Sequence, residues 1–224
     1  LFIFMASMLE KSGVIEEVFD VAYKWLGRIP GGLAVATVVA STVLAAMVGV
    51  IGAAVVTMAL VALPSMLRRG YSPVLAVGTV MAGGTLGILI PPSVLAIVYG
   101  LVANQSVGEL YLGSVFPGLV LSGLYILFSV GYALLNPKAA PRLSPEETPT
   151  WSERWRALRS IWSPLVLIFL VLGTIFLGLA APTEAAAIGA FGAMVVAAIH
   201  RRLSWTILRL ALEQTAKATA MVMW

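Results

Sequence analysis

Residue types that ordinarily do chemistry are scarce in this chain. Cysteine is absent and His200 is the single histidine. That excludes a disulfide framework, a thiol nucleophile, a thiolate metal site and a histidine metal cluster. The two longest uncharged runs, 29–67 and 70–108, hold no Asp, Glu, Lys or Arg. A proton relay or buried ion pair within them is therefore disfavoured. What remains is backbone. The segment Gly83-Gly84-Thr85-Leu86-Gly87-Ile88-Leu89-Ile90-Pro91-Pro92-Ser93 concentrates three glycines and two adjacent prolines. An interior proline removes a backbone hydrogen bond and costs about 3 kcal/mol in a helix. This spacing predicts a helix broken over 83–92. Its first half, from about Pro73 to Met81, would end in unpaired carbonyls. Its second half, opening near Pro92-Ser93, would begin in free amides.

Carbonyl ends suit a cation and amide ends suit an anion, which is how secondary transporters use broken helices. The candidate cation ligands, mostly backbone carbonyls, are Gly83, Gly84, Thr85 and Gly87, and the candidate anion-side residues are Pro91, Pro92 and Ser93. A simple structural kink is the competing reading. A second irregular point lies at Gly49 and Gly52, in the middle of run 29–67. Two short helices about such a tip make a re-entrant hairpin, whose carbonyls could also hold an ion, or two short spans joined outside the membrane. Hydroxyls of Ser41, Thr42, Thr57, Thr79, Thr85 and Ser93 add hard oxygen donors. Each is weak evidence alone, because Ser and Thr in apolar helices often bond their own backbone.

Composition says what must position these residues. Of 224 residues, 60% are hydrophobic and 11% charged, with a net charge of +4 and a mean hydropathy of +1.00. A soluble domain runs near 45–50% apolar and about 25% charged. A soluble enzyme, a nucleic-acid binder and a disordered chain are excluded; the lipid bilayer is the partner such a chain requires. No nucleophile–base pair lies in the apolar runs, so no enzyme is read here.

Charges mark the element boundaries. Lys11, Lys24, Arg28, Arg68, Arg69, Lys138, Arg142, Arg154, Arg156, Arg159, Arg201 and Arg202 flank the apolar runs, whereas 103–114 and 180–184 carry only Glu109 and Glu184. By the positive-inside rule the basic segments are cytoplasmic. Run 29–67 then starts and ends on one side, as a hairpin would.

The organisation that follows is a partial transmembrane helix at 1–12, an amphipathic interfacial helix at 13–28 and the hairpin at 29–69. After these come the broken span at 70–108, a transmembrane helix at 109–136, a cytoplasmic loop at 137–159 and two transmembrane helices at 160–200. Packing on other protein is an equal reading for 13–28. Thr183 is a candidate N-cap with Glu184 complementing the helix dipole, and His200 suits a helix C-terminus; neither reads as a site. The apolar runs at both chain ends suggest a piece of a longer membrane protein.

The stretches Pro30-Gly31-Gly32-Leu33-Ala34, Pro64-Ser65-Met66-Leu67-Arg68-Arg69-Gly70-Tyr71, Gly84-Thr85-Leu86-Gly87-Ile88-Leu89-Ile90-Pro91-Pro92-Ser93 and Ala181-Pro182-Thr183-Glu184-Ala185-Ala186-Ala187 resemble the large membrane subunit of tripartite ATP-independent periplasmic (TRAP) transporters. So does the opening Leu1-Phe2-Ile3-Phe4-Met5. The resemblance implies an all-α integral membrane protein with an ion-transporter-type elevator fold. Residues 1–200 would carry the first of two inverted repeats and the central helices, and 201–224 the truncated start of the second. It also implies sodium as coupling ion with no covalent cofactor, a small membrane subunit, and a periplasmic substrate-binding protein delivering an organic acid. That acid would be a C4-dicarboxylate, a keto acid or a similar carboxylate. A bacterial or archaeal cytoplasmic membrane is the implied location. One departure is the tip, which reads Gly49-Val50-Ile51-Gly52-Ala53 where many members are Ser-rich. The rival from another class is a non-transporting helical scaffold or partner-binding subunit, which would have no use for an unwound segment at mid-membrane.

Overall fold

Apolar periodicity punctuated by glycine and proline builds a chain of α-helices, seen in a computed structural model that describes residues 1–49, 51–141 and 150–223. The tip residue Val50, residues 142–149 of the expected cytoplasmic loop, and Trp224 lie outside the described residues. The helices are α1 (Phe2–Lys11), α2 (Val14–Leu26), α3 (Gly32–Val48), α4 (Ile51–Arg68), α5 (Pro73–Leu89), α6 (Val94–Ala103), α7 (Val107–Leu135), α8 (Trp151–Ser160), α9 (Trp162–Phe176), α10 (Pro182–Ile199) and α11 (Trp205–Met223). Four segments are long and apolar enough to cross a membrane: 51–68, 73–103, 107–135 and 182–199. The pair α8 and α9 makes a fifth if taken as one bent span.

Helices α3 and α5 run side by side in the same direction. Ser41 faces Gly83, Ala45 packs with Leu86, and Gly49 reaches Pro92. Helix α4 returns antiparallel to α3, so that Thr37 near the start of α3 meets Met66 near the end of α4. A side chain at Gly84 would run into Val55 of α4. Glycines 83 and 84 thus let α5 wedge closely against α3 and α4. Small residues serve this purpose where helices pack in lipid.

Two sequence motifs meet at the base of this unit. Gly70, at φ +77°, turns the chain so that Tyr71 is buried. The Leu33 amide then donates to the Tyr71 hydroxyl at 3.2 Å, satisfying one of the orphan donors of the first turn of α3. Burial pushes the Tyr71 phenol above its ordinary range, with the Leu33 amide opposing, so it stays neutral.

Three expectations are corrected. The break expected over 83–92 is shorter: α5 continues to Leu89, and Ile90–Ser93 alone are non-helical. Glycine costs a helix only about 1 kcal/mol each against alanine, and here close packing compensates. The prolines end the helix.

The loop expected over 137–159 contains helix α8. The Thr150 amide donates to the Glu153 carboxylate at 2.8 Å and starts it. The Trp25 ring then anchors it, edge-on to Trp151 and Trp155 with centroids 6.2 and 5.9 Å away.

Of the two readings held equal for 13–28, the burial of the apolar face of α2 fits packing on protein. Val14, Ile15, Val18, Phe19, Val21 and Ala22 are all buried in the core.

At α10 the helix opens at Pro182 with Ala181 as N-cap, not Thr183. The Glu184 carboxylate accepts from the Ala181 amide at 2.9 Å. His200 ties the end of α10 to the α8–α9 junction. Its Nδ1 lies 2.9 Å from the Val196 carbonyl and its Nε2 3.0 Å from that of Ser160.

Candidate functional site

The hairpin tip and the break in the second long span form one junction. Gly49 closes α3 in the left-handed conformation, φ +61°, with its amide returning to the Ala45 carbonyl at 3.3 Å. A Cβ at Gly49 would overlap the Pro92 carbonyl oxygen. Both the backbone angle and the space therefore require glycine. The Val94 amide, first in α6, donates to the Gly49 carbonyl at 3.4 Å. Gly49, Pro91, Pro92, Ser93 and Val94 are all buried.

Proline chemistry leaves specific carbonyls without an intrahelical donor. The last intrahelical bond of α5 runs from the Ile90 amide to the Leu86 carbonyl at 2.9 Å. The next two carbonyls, of Gly87 and Ile88, would take amides from residues 91 and 92. Both are proline and have none. Helix C-termini carry a partial negative charge and N-termini a partial positive one. The junction gathers the ends of α3 and α5 and the start of α6. Oxygen-only donors of this kind suit a hard monovalent cation. Among the described residues, no three His, Asp or Glu side chains group to hold a metal ion.

The candidate residues divide on this geometry. Gly49 is at the junction with Pro92 and Val94, Pro91 and Ser93 flank that contact in the chain, and Gly87 lies buried in the last turn of α5. Gly83 and Gly84 sit inside α5, where their carbonyls belong to the helical ladder, and their role is packing. Thr85 faces the other way. It is exposed, its hydroxyl donates to the Ala82 carbonyl at 2.7 Å, and it lies 3.3 Å from the Tyr125 hydroxyl of α7. Gly52 is not at the tip. It lies in the first turn of α4, exposed, with nothing near the position of a Cβ. Ser93 is fully buried. Its Oγ accepts from the Ala96 amide at 3.5 Å, capping α6.

Sequence reasoning did not single out Tyr111. Its hydroxyl donates to the Ser93 carbonyl at 3.3 Å, its ring is fully buried, and Phe2 packs edge-on to it at 6.5 Å. It props the break from the α7 side. The signal available was a lone polar-tipped aromatic near the start of an apolar helix, which is common and weak. Ser41 is one of the candidate hydroxyl donors named from the sequence. Its hydroxyl is buried at the α3–α5 contact with no hydrogen-bond partner among the described residues.

Comparison with known proteins adds the following. A family model described as "Tripartite ATP-independent periplasmic transporter, DctM component" matches residues 1–224. The C4-dicarboxylate TRAP transporter large permease protein DctM of Pseudomonas aeruginosa is 35% identical over 224 residues, covering 100% of this chain and 51% of that protein. Its namesake in Vibrio cholerae is 36% identical over 196 residues, 88% of this chain and 42% of that protein. The ectoine TRAP transporter large permease protein TeaC of Halomonas elongata is 31% identical over 187 residues, 84% of this chain and 43% of that protein. The chain thus spans about half the length of these relatives, which are transport permeases and not enzymes.

Proposed function

The chain belongs to the DctM component family of tripartite ATP-independent periplasmic transporters, and on that premise we propose that it carries the first-repeat half of a sodium-coupled organic-acid permease. In this reading α3, α4, α5 and α6 form a hairpin and broken helix of the transport domain in an elevator fold. The basic segments face the cytoplasm of a bacterial or archaeal cell. A small membrane subunit and a periplasmic binding protein complete the transporter. Two of the relatives at 35% and 36% identity are named for C4-dicarboxylates, which makes a dicarboxylate the favoured substrate. The ectoine relative shows that substrate differs within the family.

The observation that carries the proposal is the pair of carbonyls, Gly87 and Ile88, left without helical donors by Pro91-Pro92 beside the buried Gly49. A partly dehydrated sodium ion would supply what those oxygens lack. Leaving such groups unmet in a membrane costs several kcal/mol each. The anion side follows from the Val94 amide. Its bond to Gly49 is long for N–H···O. A substrate carboxylate could replace the Gly49 carbonyl there once the tip withdraws, with the α6 dipole favouring the charge. Sodium and substrate would then meet at one movable contact.

The test is uptake of labelled succinate into liposomes holding the intact permease, its small subunit and its binding protein. An inward sodium gradient should drive accumulation. Uptake of the same size in potassium alone would remove the sodium coupling. No carboxylate uptake under any gradient would favour the scaffold reading.

A further inference from the structure

Helix α8 is built the wrong way round for water. It exposes Trp151 and Trp155, at 65% and 56%, while Arg154 is buried at 7%. One residue after α8 the chain enters the apolar helix α9, bent from it by 47°. That helix opens on Trp162, also 68% exposed. A ten-residue helix is about 15 Å long. Joined so closely to an apolar span, α8 cannot leave the membrane surface. Exposed tryptophans at that depth belong at the headgroup boundary.

The arginine is what needs explaining. Its backbone carbonyl accepts from Trp25 Nε1 at 3.4 Å, and its guanidinium lies under the Trp151 ring, 5.2 Å from the centroid. The Nε and Nη2 atoms are buried with no hydrogen-bond partner among the described residues. A buried charged donor left unmet is among the costlier defects a fold can carry. Among the described residues, the carboxylates of Glu153 and Asp20 are committed, to the Thr150 amide and to Lys24. Arg156 and Arg159, both exposed on α8, add charge of the same sign. Among the described residues no acceptor meets these donors, and at this depth a lipid phosphate is the anion at hand from outside the chain.

We propose that α8 is an anionic-phospholipid site, in which a headgroup phosphate accepts from Arg154 and is held by Arg156 and Arg159 while Trp151, Trp155 and Trp162 lie in the headgroup–acyl boundary. An acidic peptide would meet the charge but leaves three exposed indoles facing water. The membrane satisfies both. Trp151 covers the guanidinium and is mostly exposed, so its ring can move aside without disturbing the core. This site does not depend on the sodium or substrate reading, and its failure would leave those untouched.

The experiment is lipid binding to the purified intact permease in detergent, followed by native mass spectrometry. The probes are dioleoyl phosphatidylglycerol, dioleoyl phosphatidylcholine and inorganic phosphate. Wild type should retain phosphatidylglycerol in clear preference to phosphatidylcholine. The Arg156→Gln/Arg159→Gln variant, whose exposed positions spare the fold, should lose about thirtyfold in phosphatidylglycerol affinity, from roughly fivefold per arginine at an anionic surface. Arg154→Gln should lose at least as much, and Arg209→Gln, on α11, should lose nothing. Equal retention of the two lipids, or unchanged affinity in the double variant, would overturn the proposal. Competition by inorganic phosphate as effective as the lipid would also overturn it, since the site would then take a free anion.

Discussion

The Val94 amide meets the Gly49 carbonyl at 3.4 Å, so the start of α6 is capped by the tip of the α3–α4 hairpin. Two irregular segments that are separate in sequence become one structure. Each supplies what the other lacks, an acceptor for an orphan amide and a wall for an unpaired turn. Transport in this account depends on that contact being made and broken.

Gly49 and Gly52 should behave oppositely. Gly49→Ala forces a side chain into a left-handed turn, at about 1–2 kcal/mol, and against the Pro92 carbonyl. Sodium-driven uptake should fall at least about tenfold, with a lower melting temperature. Gly52→Ala enters open space in a helix. It should leave uptake intact and stability equal or raised by up to about 1 kcal/mol. Equal effects of the two would mean that the tip is only a turn.

Tyr111→Phe keeps the ring beside Phe2 and removes the hydrogen bond to the Ser93 carbonyl. That carbonyl keeps the Ile97 amide at 3.3 Å, so the variant loses one hydrogen bond, about 0.5–1.5 kcal/mol. Thermal unfolding of the intact permease should show a loss in that range, together with weaker apparent sodium affinity in uptake. A stability loss with unchanged sodium affinity would make Tyr111 a packing residue and not a prop of the break.

Pro91→Ala with Pro92→Ala restores amides that can pair with the Gly87 and Ile88 carbonyls. The helix should run through, stability should rise, and sodium dependence should disappear. Circular dichroism and sodium-titrated uptake read the two effects. A double variant with wild-type sodium response would show that those carbonyls hold no ion.

Helix α8 should be sensitive to acid at its first turn. The Glu153 carboxyl is held below its ordinary range, chiefly by the hydrogen bond from the Thr150 amide. A carboxyl with a depressed folded value adds stability above its unfolded value, near 4.5, and loses it as pH falls through the folded value. Amide protection factors of 152–158 should therefore drop as the medium is acidified below that point. In Glu153→Gln they should start lower and stay flat. A pH-independent wild type would count against the cap.

The broad architecture was legible from the sequence. Uncharged runs gave the apolar helices, and Gly49 and Pro91-Pro92 marked both halves of the junction. The glycines at 83 and 84 misled, because a glycine that weakens a helix and one that admits a neighbouring helix look alike until Ser41 and Val55 are in place. Helix α8 was hidden by composition. Its stability rests on a cap and on Trp25, a long-range partner that periodicity within the segment does not reveal. Tyr111 was hidden for the same reason: its role is a contact with Ser93 across two helices.

Hydrogen exchange of the intact permease, in sodium against potassium at equal ionic strength, reports on the tip and the break themselves. If the tip and the break together hold the ion, sodium should slow exchange at least about tenfold in amides 48–51 and 93–97, with amides 151–160 and 205–220 unchanged. Protection that is absent, or that falls mainly outside the two segments, would contradict the assignment of the ion to this junction.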